Sequence, residues 1–407
     1  VIHILLRNKS FVLIMTGEVV AGTGMWIGII ANLAFLTHLV PSDFLKALIL
    51  MVGLFVSLLI SPKAGELIDR FDKKKILFYA TLIRCLAPTS MFFAIAYDSI
   101  SWMVVSTIFI QMAATFYIPS AQASIPSIVP QTELLRANSI YMNAVTLSRI
   151  GGTALGGLLV TMMDLMTLYM ITLVSYVILA FLISPIQIPK IERKSKAQSE
   201  QVRFREVFGM VRSEPAIFIG LFNSMMLSFF VGGFNLLVIN FSEHLHAPQL
   251  TGWIYTVEGT CVLLAGLMAK RWVGNKNLVA VSTLFVFVLG LAQFGMSVSM
   301  NVVSLLISFA VFGISFGFMV PMNSTIFQKQ LPENARGRFF SFKNMLDRVW
   351  FQVSLLLTGA GLDFMGIGMY MFTLCVVTII VGIVSLSYGR RHALDVRQVS
   401  EPKAKTA

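Results

Sequence analysis

Residues 11–39 read FVLIMTGEVVAGTGMWIGIIANLAFLTHL, a run in which Glu18 is the one Asp, Glu, Lys or Arg. A helix needs about 20 mostly apolar residues to cross a hydrocarbon core about 30 Å thick, at about 1.5 Å per residue. This stretch exceeds that length, so it is expected to tilt or to extend beyond the bilayer. It follows Arg7 and Lys9 but is too long for the apolar part of a secretory signal, and no small-residue cleavage site closes it. An uncleaved helix is therefore expected. Further runs of the same kind follow at about 45–61, 76–97, 101–125, 137–163, 167–187, 216–241, 250–270, 277–299, 301–326, 343–365 and 367–388. The fold expected is all-α: twelve transmembrane helices.

Composition agrees. The 407 residues are 57% hydrophobic and 12% charged, whereas a soluble domain carries about 25% charged residues. A soluble enzyme is excluded. Cys85, Cys261 and Cys375 each fall inside an apolar run, so they read as small core residues and indicate no disulfide framework.

The net charge of +12 is distributed asymmetrically. If the chain crosses the membrane at every run, all but Lys46, Arg84, Arg149 and Arg348 of the 31 Lys and Arg fall at the N-terminal side of the membrane. The opposite turns carry Asp43, Asp98, Asp164, Glu243 and Asp363. By the positive-inside rule both termini are cytoplasmic. Basic charge beside anionic lipid accounts for the surplus, and no nucleic-acid partner is expected.

Residues 188–215 form the one long polar stretch between runs, with six runs on either side. The expected organisation is a six-helix bundle over 1–187, a cytoplasmic linker over 188–215, a second bundle over 216–388 and a cytoplasmic tail over 389–407. Within the linker, residues 202–211 place Phe204, Val207, Phe208 and Val211 on one side, as in a short helix lying on the inner membrane surface. The halves echo each other: Arg136 precedes the intramembrane Arg149, and Arg336 precedes the intramembrane Arg348. Two pseudo-repeats of six helices point to a transporter whose site lies between them.

The loop after the second run, Gly65-Glu-Leu-Ile-Asp69-Arg70-Phe-Asp72-Lys73-Lys74-Lys75, resembles the G-x-L-x-D-R-x-G-R-K signature of the major facilitator superfamily. Gly65 permits close helix approach, Asp69 lies four residues on along the same face, and the lysines hold the loop to the cytoplasmic side. Asp72 stands where glycine is usual, and Lys73 where arginine is usual. A degenerate copy, Gly266 to Lys276, follows the eighth run, and Pro332-Glu333-Asn-Ala-Arg336-Gly337-Arg338 is similar to another turn of the family. Residues 119–160, with Arg149-Ile-Gly151-Gly152 and Gly156-Gly157, look most like its macrolide-efflux and enterobactin-exporter branch. The R-x-x-x-G of many proton antiporters is absent from the fourth run. The resemblance implies a conformational gate built from Gly65, Asp69 and Arg70, with Asp347 and Arg348 near it.

An ionisable side chain inside a span costs at least about 2.5 kcal/mol on insertion scales. Glu18, Arg84, Arg149, Glu258, Asp347 and Arg348 are such residues. Arg84 is expected near the interface, snorkelling to water. Glu18 is the first candidate for proton coupling, because a carboxylate in apolar surroundings can load and release a proton as the site is wetted from alternate sides. Its alternative is a structural ion pair with Arg149 or Arg84. Glu258 is a second proton carrier or a counter-charge for a cationic substrate. Arg149 either binds an anionic group or neutralises Glu18, the latter being preferred.

In the family, spans one, four, seven and ten line the cavity. Here they offer Met25, Trp26, Asn32, Gln111, Phe116, Tyr117, Asn223, Phe230, Asn235, Met319 and Asn323. This apolar, aromatic and amide set suits a bulky amphipathic molecule better than a sugar or peptide. His244 and His246 make no metal site with Glu243 alone, and no phosphate-cradling loop or nucleophile motif is present. No cofactor or metal is expected. The function expected is proton-coupled export of amphipathic small molecules by a monomer in the bacterial plasma membrane. Alternatives are uptake, or lysophospholipid or siderophore transport, and more remotely a polytopic membrane enzyme.

Overall fold

The structure, a computed structural model, describes residues 8–130, 134–188, 211, 214–273, 276–331, 333–392, 394 and 396. The chain runs through α1 (Lys9–Leu39), α2 (Asp43–Arg70), α3 (Lys73–Ala96), α4 (Ile100–Ile128), α5 (Leu134–Met162) and α6 (Leu165–Ile183). It continues through α7 (Pro215–His244), α8 (Leu250–Val273), α9 (Leu278–Ser297), α10 (Val302–Gln330) and α11 (Glu333–Arg391). At 59 residues, α11 is far longer than one crossing requires. Gly366, with φ 73° and ψ 166°, divides it into arms 333–365 and 367–391. Among the described residues, twelve spans therefore arise from eleven helical segments, and the two expected at 343–365 and 367–388 are joined at Gly366 without a loop.

Several helix starts are fixed by side chains that accept from otherwise unpaired backbone amides. Asn8 accepts from the Phe11 amide at 3.1 Å, Ser42 from Leu45 at 3.2 Å, and Asn301 from Ser304 at 2.9 Å. Asp72 accepts from Lys74 at 2.9 Å. The residue that departs from the family signature is thus the cap of α3. Its neighbour Lys73 donates through Nζ to the Ala123 carbonyl at 2.7 Å, placing a cation at the C-terminal end of α4.

The chain divides into two compact units, Val1–Ala197 with His246–Thr256, and Gln198–Leu245 with Val257–Ala407. In the first, α1 packs on α5 and α6, and α4 on α2 and α3. Small residues set these approaches. A Cβ on Gly22 would lie 2.8 Å from Ser148 Cβ, and one on Gly152 would lie 2.7 Å from the Thr23 carbonyl. The Ser148 hydroxyl donates back to the Ala144 carbonyl at 2.7 Å and lies 3.3 Å from the Glu18 carbonyl.

In the second unit α7 packs on α11, and α9 on α10 and α11. Gly232 meets Ser354 as Gly22 meets Ser148, and the Ser354 hydroxyl donates to the Phe229 carbonyl of α7. If the units are aligned on that shared contact, Arg149 lies one residue after its serine, whereas Arg348 lies six before.

Large apolar side chains point outward along the helices, among them Leu147, Leu158, Phe181, Leu267 and Phe364. For a bundle bathed in hydrocarbon this outward face is the solvated one, and backbone polarity is satisfied inside each helix. Lys46, expected in an outer turn, is instead 2% exposed and bonds Asp43 at 3.2 Å. Most of the expected linker helix, 202–210, lies outside the described residues. Val211 packs against a core of Ile217, Leu221, Phe327 and Phe339.

Candidate functional site

In the first unit the apolar core of α1, α3, α4, α5 and α6 encloses a polar centre. Glu18 comes from α1, Arg84 from α3, Tyr117 from α4, Tyr141 from α5 and Tyr176 from α6. Arg84 does not snorkel: it is 4% exposed. Its guanidinium carbon sits 4.1 Å from the Tyr117 ring centroid and 5.8 Å from that of Tyr176. A desolvated cation over aromatic faces gains about 2 kcal/mol or more, offsetting part of its lost hydration. Pro88 lies four residues on and has no amide hydrogen, so the Arg84 carbonyl receives no helical hydrogen bond from that position.

The Tyr117 hydroxyl donates to the Glu18 carboxylate, and the Arg84 charge acts on the same group. Tyr141 also feels both charges. No ion pair within 4.0 Å joins Glu18 to Arg84 among the described residues, and Glu18 Oε2 and Arg84 Nε have no hydrogen-bond partner there. Of the two arginines left open as its partner, Arg84 is a cation whose charge acts on Glu18. Arg149 lies beside Ser148, on α5. Buried charges that do not pair directly are held at a cost.

The other expected cavity residues separate into groups. Met25, Trp26, Asn32, Gln111, Phe116 and Asn235 are half-buried, whereas Tyr117, Asn223, Phe230, Met319 and Asn323 are buried within their own units. Trp26 lies 6.0 Å from Tyr255, centroid to centroid, within the first unit. The Asn32 carbonyl oxygen is taken by the Tyr169 hydroxyl. Phe230 belongs to a buried aromatic set, 4.5 Å from Phe312.

Asn223 and Asn323 are the hubs of a closed network in the second unit. Asn223 Nδ2 donates to Ser282 Oγ at 3.2 Å, and Ser385 donates to Asn223 Oδ1 at 2.9 Å. Ser282 donates to Asn323 Oδ1 at 2.6 Å, and Asn323 Nδ2 donates to Ser224 Oγ at 3.0 Å. Their amides are thus engaged by α7, α9 and the last arm of α11, which gives both residues a packing role. Sequence reading found neither Ser282 nor Ser385, because isolated serines in apolar runs carry no periodic signal.

Glu258 is buried in α8, where α10 approaches through Gly313: a Cβ there would lie 2.6 Å from the Glu258 carbonyl. Asp347 bonds Lys343 at 2.5 Å and lies 3.5 Å from the Ser228 hydroxyl. Arg348 is exposed on α11. Gly65, Asp69 and Arg70 lie in the last turns of α2; their side chains fall outside the described residues.

A family model described as Major Facilitator Superfamily matches residues 14–351. The chain is 25% identical over 352 residues to the MFS-type transporter YfiS of Bacillus subtilis (strain 168), covering 83% of each. It is 22% identical over 396 residues to Macrolide efflux protein A of Streptococcus pyogenes, covering 95% of this chain and 98% of that one. It is also 22% identical over 367 residues to the Staphyloferrin A transporter of Staphylococcus aureus (strain NCTC 8325 / PS 47), covering 84% and 87%. Among solved structures, the nucleoside transporter NupG superposes with a TM-score of 0.71 at 13% identity, covering 93% and 98%. A bacterial homologue of the iron transporter ferroportin, in an inward-facing state, gives 0.73 at 14% identity, covering 94% and 99%.

Proposed function

This chain belongs to the Major Facilitator Superfamily, a secondary-transport fold, and from that premise we propose that it exports amphipathic small molecules in exchange for protons. The observation that carries the coupling is Glu18: a carboxylate in an apolar core, with one oxygen unpartnered among the described residues and a cation close by. Such a group can exist with or without its proton as the surrounding helices change their exposure to water. The amphipathic substrate class is supported by Macrolide efflux protein A, matched along nearly its whole length. Glu258 serves as the second acidic group on the path and receives the cationic part of a substrate. Arg149 takes part as a neutralising charge for Glu18 or as a partner for an anionic group. Met25, Trp26, Gln111, Phe116 and Asn235 supply the half-buried lining, while Asn223 and Asn323 brace it.

In this reading transport is by alternating access, and Gly65, Asp69, Arg70, Asp347 and Arg348 form the cytoplasmic gate. The protein works as a monomer in a bacterial plasma membrane with both termini in the cytoplasm. A second reading, transport of a siderophore by the same fold, is supported by the Staphyloferrin A transporter.

The test is flux in proteoliposomes with and without an imposed pH gradient, using a macrolide, a lipophilic cationic dye, a carboxylate siderophore and a fluorescent lysophospholipid. Export predicts gradient-stimulated movement of the macrolide or dye, lost in Glu18→Gln. Gradient-driven flux that persists in both Glu18→Gln and Glu258→Gln would remove the coupling assignment. Movement of the siderophore alone would select the second reading.

A further inference from the structure

The amides of Leu278, Val279 and Ala280 at the start of α9 have no partners inside the helix, as at every helix start. Asn277 Oδ1 accepts from two of them, Val279 at 3.0 Å and Ala280 at 3.5 Å. The third is met by the segment after α11: Leu278 donates to the Val396 carbonyl at 2.7 Å. Asn277 also donates through Nδ2 to the Leu394 carbonyl at 2.5 Å and accepts from the Val396 amide at 3.4 Å. One asparagine thus caps a helix and grips the residues that follow another.

The contact is enclosed, with Val396 6% exposed, although Arg390, Arg391 and His392 just before it are exposed. The Leu394 amide donates back to the Gly389 carbonyl at 3.2 Å, closing the end of α11 before the chain reaches α9. One turn further in, the same two helices meet again. Ser282 lies four residues after Leu278 and Ser385 four before Gly389, and both bond Asn223. Residues four apart share a helix face, so this contact and the amide network lie along one seam. Deeper still, a Cβ on Gly382 would lie 2.9 Å from the Phe287 ring.

In the first unit the start of α3 is secured by Asp72 and Lys73. The degenerate copy of that signature, Gly266 to Lys276, ends at the residue before Asn277. We propose that Leu394 and Val396 form a conformational strap. It fixes the register of α9 against the last arm of α11, and through Ser282 and Ser385 it holds Asn223 and Asn323 where they brace α7 and α10. A strap made of a few hydrogen bonds opens at lower free energy than a packed core, so the second unit loosens there first. Only the consequence for transport rests on the reading of α7 and α10 as lining helices: a lining that must be ordered on binding loses affinity for its substrate.

The test compares the full chain, a chain that stops after Val396 and one that stops after His392. Hydrogen exchange, read by fragmentation mass spectrometry, is expected to find the Leu278 amide protected in the first two and fast in the third. Protection that survives in the third chain, or is lost in the second, overturns the strap. Thermal unfolding in detergent reads its link to the network. Stopping after His392 is expected to lower the midpoint less in Ser385→Ala than in the parent, because contacts that act as a unit are not additive. Equal drops in both backgrounds overturn that link.

Should the shortest chain fail to assemble, Asn277→Asp decides. Aspartate still caps α9 but brings no Nδ2 to donate to Leu394. Exchange is expected to quicken at Leu278 while Val279 and Ala280 stay protected. No change at Leu278, or loss at all three together, overturns the strap.

Flux separates this inference from the proposed function. A raised half-saturation concentration in the chain that stops after His392 supports the consequence for transport. Lost Leu278 protection beside unchanged flux removes the lining role of α7 and α10 and leaves the strap. A parent that moves none of the compounds removes the proposed function alone.

Discussion

The hydroxyls of Thr358 and Tyr370 lie 2.8 Å apart, on opposite sides of the break at Gly366. That bond ties the two arms of α11 together, with Gly361 packed against the Tyr370 ring. The reversal itself depends on backbone geometry. Gly366 occupies a region that side-chain-bearing residues essentially avoid, at φ 73° and ψ 166°, while a Cβ there would meet nothing within 4 Å.

Gly366→Ala is accordingly expected to cost about 1–3 kcal/mol through backbone strain alone. Gly151→Ala is the control, since that helical glycine also has nothing within 4 Å of an added Cβ. It should be neutral or stabilising by about 0.5–1 kcal/mol. Thermal unfolding in detergent measures both, and a Gly366→Ala midpoint equal to the parent's would contradict the assigned geometry.

Asn223→Val leaves Ser282 and Ser385 each without a partner they now have, at a cost of about 1–3 kcal/mol. Asn323→Val acts on the same network through Ser282 and Ser224. The double variant should lose less than the two singles together, with a coupling of about 0.5–3 kcal/mol. Strictly additive losses would mean that the amides act separately.

Asp164 offers the pH dependence that can be signed. The Thr167 hydroxyl donates to its carboxylate at 2.5 Å, and this bond is the leading reason the carboxyl is held below the usual range. A depressed folded pKa contributes stability above the unfolded value, near about 3.9, and that contribution fades as pH falls through the folded value. Acid should therefore loosen the first turn of α6. The effect is small because the group is fully solvated. Hydrogen exchange at residues 165–168, corrected for the intrinsic pH dependence, reads it, and equal acid sensitivity in Asp164→Asn would refute the attribution.

Sidedness can be read with cysteine labelling. With Cys85, Cys261 and Cys375 replaced by Ala, Asp98→Cys should react with an impermeant maleimide in intact cells. Lys74→Cys should react only after permeabilisation. The reverse pattern would invert the orientation taken from the positive charges.

Most of the architecture was legible because hydropathy reports span length directly, and the run that begins at Phe11 already demands a membrane. Asp69 and its neighbours were visible as a local motif. What escaped was long-range. Arg84 is one arginine in an apolar run, and only the meeting of α3, α4 and α6 turns it from a snorkelling candidate into an enclosed charge. Arg149 follows Arg136 by 13 residues and Arg348 follows Arg336 by 12, an echo visible in the sequence, but loop spacing by itself carries no information about helix register. Asn223 and Asn323 looked like lining because amides on the first and fourth helices of a repeat suit a cavity; their serine partners come from other helices, with nothing in the local sequence to announce them.

The concealment of Lys46, bonded to Asp43 at 3.2 Å and 2% exposed, also makes the molecule chemically lopsided. Exposed primary amines such as Lys63 and Lys75 stand at the α2–α3 end, whereas the lysine at the α1–α2 end is shut away from reagents. An acylating probe that cannot cross lipid would thus mark reconstituted vesicles on one orientation only, giving a built-in gauge of how the protein has inserted.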